Sequence, residues 1–291
     1  MATLSGSAAP PAVSTHSVTR LARQVVVYAL LIGGGVLFAF PFYWLVITSL
    51  KAEHMVLADP PQWWPDPLAV QNYADLFGAG PVFNWIRNSV IVAVLGALFY
   101  TASSVLTAYG FARLPFPGSR ALFFLVLATL MLPGHVTIIP RFVLFRELKW
   151  LDTLLPLIVP TLFGSAFYIF LMRQFFLTLP RELDEAAELD GANSFQILWH
   201  VLLPLCGPAT ATVAVFAFVS QWSDFLEPFI YLSTPENLTL QVGLRWFNTQ
   251  YGTRFHLMMA GAVIAMLPIL VVFFVAQKQF VQGIALTGMK G

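Results

Sequence analysis

Charged residues are scarce in this sequence. Asp, Glu, Lys and Arg together make up 10% of the 291 residues, whereas an average soluble domain carries about 25%. Hydrophobic residues account for 58%, more apolar surface than a water-soluble chain of this length can bury in one core. The composition therefore predicts a protein surrounded by a lipid bilayer, which solvates apolar side chains directly.

A strong net charge and a set of cysteines are also absent. The formal net charge is +1, which excludes the broad basic face that nucleic-acid binding requires, so no nucleic-acid partner is expected. Cys206 is the only cysteine. Its isolation excludes an internal disulfide and a thiolate metal cluster.

The motifs of common enzymes are missing as well. The sequence contains no G-x-x-x-x-G-K-[ST] phosphate loop, no H-E-x-x-H zinc pair and no G-x-S-x-G nucleophile elbow. Its five histidines are scattered singly, and His135 lies in an apolar run. There it is either a functional ionisable group or, beside Pro133 and Gly134, a partner for a freed backbone carbonyl. We expect no catalytic residue, metal site or cofactor.

Long uncharged runs are what the sequence does contain. A helix needs about 20 apolar residues to cross ~30 Å of hydrocarbon, and six runs without Asp, Glu, Lys or Arg reach that length. They cover residues 25–50, 88–112, 121–140, 153–172, 201–223 and 255–277. The prediction is an all-α membrane protein with six transmembrane helices in one domain, residues 20–291, after a disordered cytoplasmic tail, residues 1–19. Prolines and glycines interrupt the third and fourth runs, so we expect bent helices there.

Charge alone hardly decides the orientation. With the N-terminus in the cytoplasm, eight of the 15 Lys and Arg residues fall in cytoplasmic segments. The positive-inside rule counts charges beside short loops. Loop 113–120, with two Arg and no acid, favours a cytoplasmic N-terminus, whereas loop 141–152, with three basic residues, does not.

A polar segment, residues 180–205, separates the fourth and fifth runs. Residues 181–190 are expected to form a short helix, because acidic residues cluster near its positive N-terminal end. The narrow apolar stripe of this helix comprises Leu183, Ala186 and Ala187.

A turn and a second helix are predicted to follow. Gly191 stands where a left-handed residue ends a helix, and Asn193 with Gln196 predicts a capping box that begins the next one. The apolar face of the second helix is expected to comprise Phe195, Leu198, Val201 and Leu202. Such a helix–turn–helix projects from the membrane as a rigid element and can transmit a force.

The spacing within this hairpin resembles the EAA signature of ABC importer permeases. The matching residues are Glu185, Ala186, Ala187, Gly191, Val201 and Pro204. The family usually has isoleucine at the position of Val201. The resemblance implies that the hairpin couples to separate ATPase subunits, with Glu185 offering a charge, the two alanines a contact face and Gly191 the turn. It also implies that the chain is non-catalytic and that the hairpin and both termini are cytoplasmic.

Other segments resemble the carbohydrate-importer branch, particularly the smaller permease of the maltose and glycerol-phosphate type. They are PPQWWPDPLAVQNY (60–73), FNWIRNSVIVA (83–93), AYGFARLPFPG (108–118), WSDF (222–225) and FVQGIALTGMKG (280–291). Ser223 stands where that branch commonly has Asn. The resemblance implies that the chain forms half of a pathway for a sugar, oligosaccharide or polyol. The implied partners are a second permease subunit, ATPase subunits and an extracytoplasmic solute-binding protein.

Candidate solute and partner contacts follow from residue type. Aromatic faces bind sugars, so the candidates are Trp63, Trp64, Trp222 and Trp246. The alternative is the interfacial aromatic belt, which is favoured for the first two. Loop 244–256 resembles the loop that enters the binding protein in the maltose system, and its candidate contact residues are Asn248, Gln250, Tyr251 and Thr253. Asp224 and Glu227 either face the pathway or reach interfacial water.

Two other classes of protein remain as alternatives. A self-sufficient secondary transporter or channel usually carries internal repeats with paired broken helices, and a membrane-embedded enzyme needs a catalytic constellation. The sequence shows no convincing instance of either. The 180–205 hairpin favours the importer permease, since only that class requires it.

Overall fold

The computed structural model describes residues 15–249 and 252–288. Gln250 and Tyr251 therefore lie outside the described residues. So do residues 1–14 of the predicted tail, whereas residues 15–19 belong to the first helix.

Helices make up most of the described chain. They run Thr15–Ser49 (α1), Glu53–Val56 (α2), Gln71–Gly78 (α3), Val82–Arg113 (α4), Ser119–Ala128 (α5), Ile138–Glu147 (α6), Leu155–Ile158 (α7), Ala166–Thr178 (α8), Glu182–Leu189 (α9), Ser194–Gln196 (α10), Leu203–Leu205 (α11), Gly207–Ser223 (α12), Leu226–Tyr231 (α13), Leu240–Gly243 (α14) and Phe255–Gly288 (α15). Two short antiparallel strands, Asn248–Thr249 (β1) and Gly252–Thr253 (β2), pair in the loop before α15.

Four stretches of the described chain are long and apolar enough to cross a membrane in one piece. They are Arg23–Ser49, Val82–Arg113, Leu155–Thr178 and Phe255–Gln277. Two further stretches qualify as bent pairs of helices: Ser119–Met131 with Gly134–Glu147, bent by 92°, and Ser194–Leu205 with Gly207–Ser223, bent by 85°. The number of spans is six if each bent pair counts as one.

Both bends coincide with proline. Leu132 is extended immediately before Pro133, as expected for a residue whose helical conformation clashes with a following proline ring. The second bend falls at Cys206, where Pro208 has no N–H to continue the helical ladder. The predicted fifth span, residues 201–223, therefore contains a break at Cys206, and the straight helix after the break is Gly207–Ser223.

The bundle has a separate packed core at each end. Helices α4, α8 and α12 pack together, and α15 packs against α12 and α1. The core nearest residues 180–205, here the hairpin end, includes Tyr109, Met172, Phe176 and Leu202. The core at the opposite end, here the far end, includes Trp85, Trp222, Phe247 and Leu257. Helix α1 exposes a long apolar surface, as a helix in contact with lipid does.

Candidate functional site

The turn of the 180–205 hairpin has the conformation that the sequence predicts. Gly191 has φ +85°, a left-handed conformation that glycine adopts without penalty. Its N–H donates to the carbonyl of Glu188 at 3.0 Å, and the N–H of Ala192 donates to the carbonyl of Ala187 at 2.9 Å. These two bonds form a Schellman motif, which ends α9 and fixes the direction in which the chain leaves it.

The start of the second hairpin helix is also confirmed. The N–H of Gln196 donates to Oδ1 of Asn193 at 3.0 Å, and the N–H of Asn193 donates to Oε1 of Gln196 at 2.9 Å. This reciprocal capping box satisfies two backbone donors that the helix itself leaves free. The two helices and their turn are therefore held by local bonds throughout.

The six signature residues do not share one exposed face. Those exposed to solvent are Glu185, Ala186, Gly191 and Pro204. Ala187 and Val201 are half-buried and pack against the hairpin-end core. Ala187 therefore joins the hairpin to the bundle, and Ala186 alone of the two alanines presents a small surface outward.

The outward face of the second helix differs from the prediction. Residues 197–202 form a π-helical turn, which holds more residues per turn than an α-helix and so rotates the apolar face. Ile197 is buried, whereas Phe195, expected to face inward, is 62% exposed and stacks on Trp199 with ring centroids 6.1 Å apart. Leu189 at the end of α9 is 91% exposed. Leu189, Phe195, Trp199 and Ala186 are exposed apolar residues of the hairpin, which we call the hairpin patch; of these four, the sequence analysis identified only Ala186 as a partner contact.

A buried ion pair ties the hairpin to the bundle. The guanidinium of Arg113, at the end of α4, lies 3.2 Å from the carboxylate of Asp184 on α9, and their side chains are 4% and 17% exposed. Arg113 also donates to the carbonyl of Leu179 at 2.9 Å. The sequence places these two residues 71 positions apart, so only the fold brings them together.

At the far end, the 244–256 loop is a small β-hairpin whose candidate residues bond to each other. The hydroxyl of Thr253 donates to Oδ1 of Asn248 at 2.8 Å, and the N–H of Arg254 donates to the carbonyl of Phe247 at 2.9 Å. The guanidinium of Arg245 lies 4.3 Å from the ring centroid of Phe229. The described parts of the loop, residues 244–249 and 252–256, are thus bonded to each other and contact α13 through Arg245.

The tryptophan candidates fall into different environments. Trp222 is buried and its indole N–H donates to the carbonyl of Ala265 at 2.8 Å, so its assignment as a sugar contact is wrong and it is a core residue. Trp246 is half-exposed and lines a far-end cavity of about 580 Å³. Trp63 and Trp64 are exposed, and Trp63 packs edge-on against Trp44.

The remaining ionisable candidates meet in one place. His135, Asp224 and Glu227 line a single cleft at the far end. Glu227 accepts two hydrogen bonds from the guanidinium of Arg141, at 2.5 and 3.0 Å. No local sequence pattern indicates that Arg141 and Glu227 are neighbours, because α6 and α13 are separated by more than 70 residues.

The fold defines a multispanning membrane protein with a rigid helical hairpin that projects from the bundle. Residues 104–286 match the family described as "Binding-protein-dependent transport system inner membrane component". The chain therefore belongs to this family, the permease components of ABC importers, and the resemblance seen in the sequence is confirmed. It is accordingly a transmembrane subunit of such an importer and resides in the inner membrane.

Individual relatives cover nearly the whole chain. The arabinooligosaccharides transport system permease protein AraQ of Bacillus subtilis is 32% identical over 258 residues, which are 88% of this chain and 92% of AraQ. The sulfoquinovosyl glycerol transport system permease protein SmoH of Agrobacterium fabrum is 29% identical over 289 residues, which are 99% of this chain and 100% of SmoH. A chain from the crystal structure of a bacterial ABC transporter for the acidic polysaccharide alginate has the same fold, with a TM-score of 0.79, 24% identity and coverage of 92% and 99%.

Proposed function

We propose that this subunit and a second permease form the pathway through which a saccharide or polyol enters the cell. ATPase subunits bind the hairpin and drive the cycle, and an extracytoplasmic solute-binding protein delivers the solute. Family membership supports the assembly. The saccharide class is supported by the two relatives named for arabinooligosaccharides and sulfoquinovosyl glycerol.

The observation that carries this proposal is the hairpin, which combines local rigidity with an exposed apolar patch. Contiguous exposed apolar surface outside the lipid marks a site where another protein binds. In the hairpin patch, the small side chain of Ala186 lets a partner approach closely, and Leu189, three residues further on, lies on the same face of α9. Glu185, exposed next to Ala186, supplies a charge at the edge of this contact.

Helix α4 connects the hairpin to the far end. Its last residue, Arg113, holds Asp184. Near its other end, Asn88 donates to the carbonyls of Glu236 and Leu238 at 2.9 and 3.0 Å, and Trp85 donates to that of Pro235 at 2.7 Å. With 32 residues at 1.5 Å each, α4 is about 48 Å long. A displacement of the hairpin is therefore transmitted through one continuous helix to the far-end segment at residues 235–238.

In this proposal the chain itself is non-catalytic, and ATP is hydrolysed on the partner subunits. Both termini and the hairpin are cytoplasmic, and the far-end loops face outward. The solute-binding protein then contacts the β-hairpin loop through Asn248 and Thr253, together with Gln250 and Tyr251.

Orientation is tested by thiol labelling of intact cells. Single cysteines replace Ser194 or Thr249 in a Cys206→Ala background, and a membrane-impermeant reagent is added. We expect labelling at the Thr249 position alone. Labelling at the Ser194 position would refute both the orientation and the coupling role of the hairpin.

The function is tested with the complete transporter, in which this chain is co-expressed with a partner permease, ATPase subunits and a solute-binding protein. ATP-dependent uptake of a saccharide is expected, and the purified chain alone should hydrolyse no ATP. Ala186→Arg, which adds bulk and charge to the hairpin patch, should reduce ATPase co-purification while membrane abundance stays unchanged. Thr153→Arg, which introduces the same side chain at an exposed far-end position, serves as the control and should leave co-purification intact.

A further inference from the structure

The cleft at the far end has the form of a small-molecule site. It encloses about 360 Å³, within the range of roughly 300–1,000 Å³ that is typical of ligand pockets. Its polar lining comprises Tyr100, His135, Gln221, Ser223, Asp224 and Glu227. These residues come from α4, from the break between α5 and α6, and from α12 and the segment after it, so several elements of the bundle meet around one space.

Backbone breaks open this cleft. The chain turns by 92° at Leu132 and Pro133, and His135 on the next turn lines the cleft. Helix α12 ends at Ser223, and Asp224 is extended before α13 begins. Broken helices that surround a polar space near membrane depth are typical of solute sites in transporters, where the freed backbone groups line a cavity.

The charges around the cleft do not balance. Glu227 is neutralised by Arg141 through two hydrogen bonds. Asp224 makes no ion pair within the described part of the chain, and its carboxylate accepts hydrogen bonds from the backbone N–H groups of Leu226, at 3.1 Å to Oδ1, and Glu227. Arg141 therefore pairs with one of the two carboxylates of the cleft, and Asp224 is left without an ion-pair partner among the described residues. The cleft therefore offers strong hydrogen-bond acceptors and repels an anion.

We propose that this cleft binds the solute in passage and selects uncharged, hydroxyl-rich saccharides over acidic ones. The inference rests on the proposed function and specifies its substrate class. Sugar hydroxyls donate to the carboxylates of Asp224 and Glu227, and the ring of Tyr100 and the amide of Gln221 complete the contact. A uronate or sulfonate group would instead meet the unpaired carboxylate of Asp224.

The test is saccharide protection of a cysteine in the cleft. Ser223, which is exposed there, is replaced by Cys in the full-length chain with Cys206→Ala, and labelling by uncharged N-ethylmaleimide is timed in membranes. Arabinotriose, a neutral trisaccharide, should slow labelling severalfold, and trigalacturonate at equal concentration should not. In Asp224→Asn, which keeps the shape of the side chain, trigalacturonate should protect as well.

A control position and charged reagents sharpen the test. Thr153→Cys lies on the far-end surface and should be labelled at one rate with or without either saccharide. At each cysteine, the rate of labelling by a cationic methanethiosulfonate is divided by the rate for an anionic one. This ratio should be severalfold larger at the Ser223 position than at the Thr153 position. Asp224→Asn should make the two ratios equal. Equal labelling with and without arabinotriose, equal protection by trigalacturonate when Asp224 is intact, or equal reagent ratios at the two positions would each overturn the inference.

This outcome is separable from that of the proposed function. ATP-dependent uptake by the complete transporter without protection of the cleft would refute the cleft site and leave the proposed function standing. Protection of the cleft without ATP-dependent uptake would support the cleft site and refute the proposed function.

Discussion

The hairpin end and the far end hold their important residues by different means. At the hairpin end, Gly191, Asn193 and Gln196 lie within six positions and are bonded through backbone motifs. At the far end, the cleft depends on groups from distant segments, and its ion pair between Arg141 and Glu227 spans 86 positions. The hairpin can therefore move as one unit, whereas the shape of the cleft depends on the packing of the whole bundle.

This difference has a consequence for mutations. A change within the hairpin should impair coupling while the lipid-embedded bundle stays folded. A change in far-end packing should lower the stability of the bundle while the hairpin still binds its partner. Only a change in the ion pair between Arg113 and Asp184, here the joint between hairpin and bundle, should affect both coupling and stability.

The largest effect is expected at that joint. Arg113→Met leaves the carboxylate of Asp184 buried without its cation, and losing one partner of a buried ion pair costs about 3–5 kcal/mol. We expect a lower melting temperature in detergent and a lower rate of uptake. Arg120→Met, the same replacement at an exposed arginine in the first turn of α5, is the control.

A double variant completes this prediction. Replacing both partners with apolar residues, Arg113→Met with Asp184→Leu, removes the unpaired charge and should recover much of the lost stability. Equal melting temperatures for Arg113→Met and Arg120→Met would show that the joint does not depend on this ion pair.

An intermediate effect is expected from far-end packing. A Cβ added at Gly243 would overlap the indole ring of Trp85, which is fully buried, and overpacking of this kind costs about 1–3 kcal/mol. Gly243→Ala should lower the melting temperature but leave ATPase co-purification unchanged. At Gly78, on the same end, an added Cβ meets nothing within 4 Å. If Gly78→Ala destabilised the chain as much, the effect would not come from the contact with Trp85.

The smallest effect is expected at Asp152, whose carboxylate binds the backbone of the far-end loop at Ser233 and Thr234. Burial raises the pKa of this carboxyl, but hydrogen bonds from the hydroxyl of Thr234 and the N–H groups of Ser233 and Thr234 outweigh it and lower the pKa from 3.8 to about 2. Since the folded-state pKa is depressed, the stabilisation is present above about pH 4 and is lost as the pH falls towards 2.

Asp152→Asn should therefore lower the free energy of unfolding by about 1 kcal/mol at neutral pH. It should also make the melting temperature less dependent on pH between about 4 and 2. Asp190→Asn, at an exposed hairpin position, should change neither. A melting temperature that falls equally steeply with acid in Asp152→Asn would show that other groups fasten the loop.

The local parts of this protein could be predicted from sequence. The helical class, the left-handed Gly191 and the capping box between Asn193 and Gln196 follow from residue preferences over a few positions. Proline also indicated that the third span would bend. Each of these features depends on neighbours in the chain.

The tertiary parts could not be predicted. Phe195 was expected to face inward because α-helical periodicity was assumed, and the π-helical turn at 197–202 shifts that face. Trp222 resembled a sugar contact by type, yet its indole bonds a carbonyl of α15. The pairs formed by Arg113 and by Arg141 join segments that no local pattern connects.

The central claim, that the hairpin transmits ATPase action to the bundle, is tested most directly at Gly191. A side chain there meets no atom within 4 Å, so a substitution acts through the backbone conformation at φ +85°. Asn tolerates this left-handed conformation, whereas β-branched Val does not. Uptake, membrane abundance and ATPase co-purification are measured for Gly191→Val and Gly191→Asn. We predict equal abundance for both, with uptake retained in Gly191→Asn and abolished in Gly191→Val; normal uptake by Gly191→Val would contradict the claim.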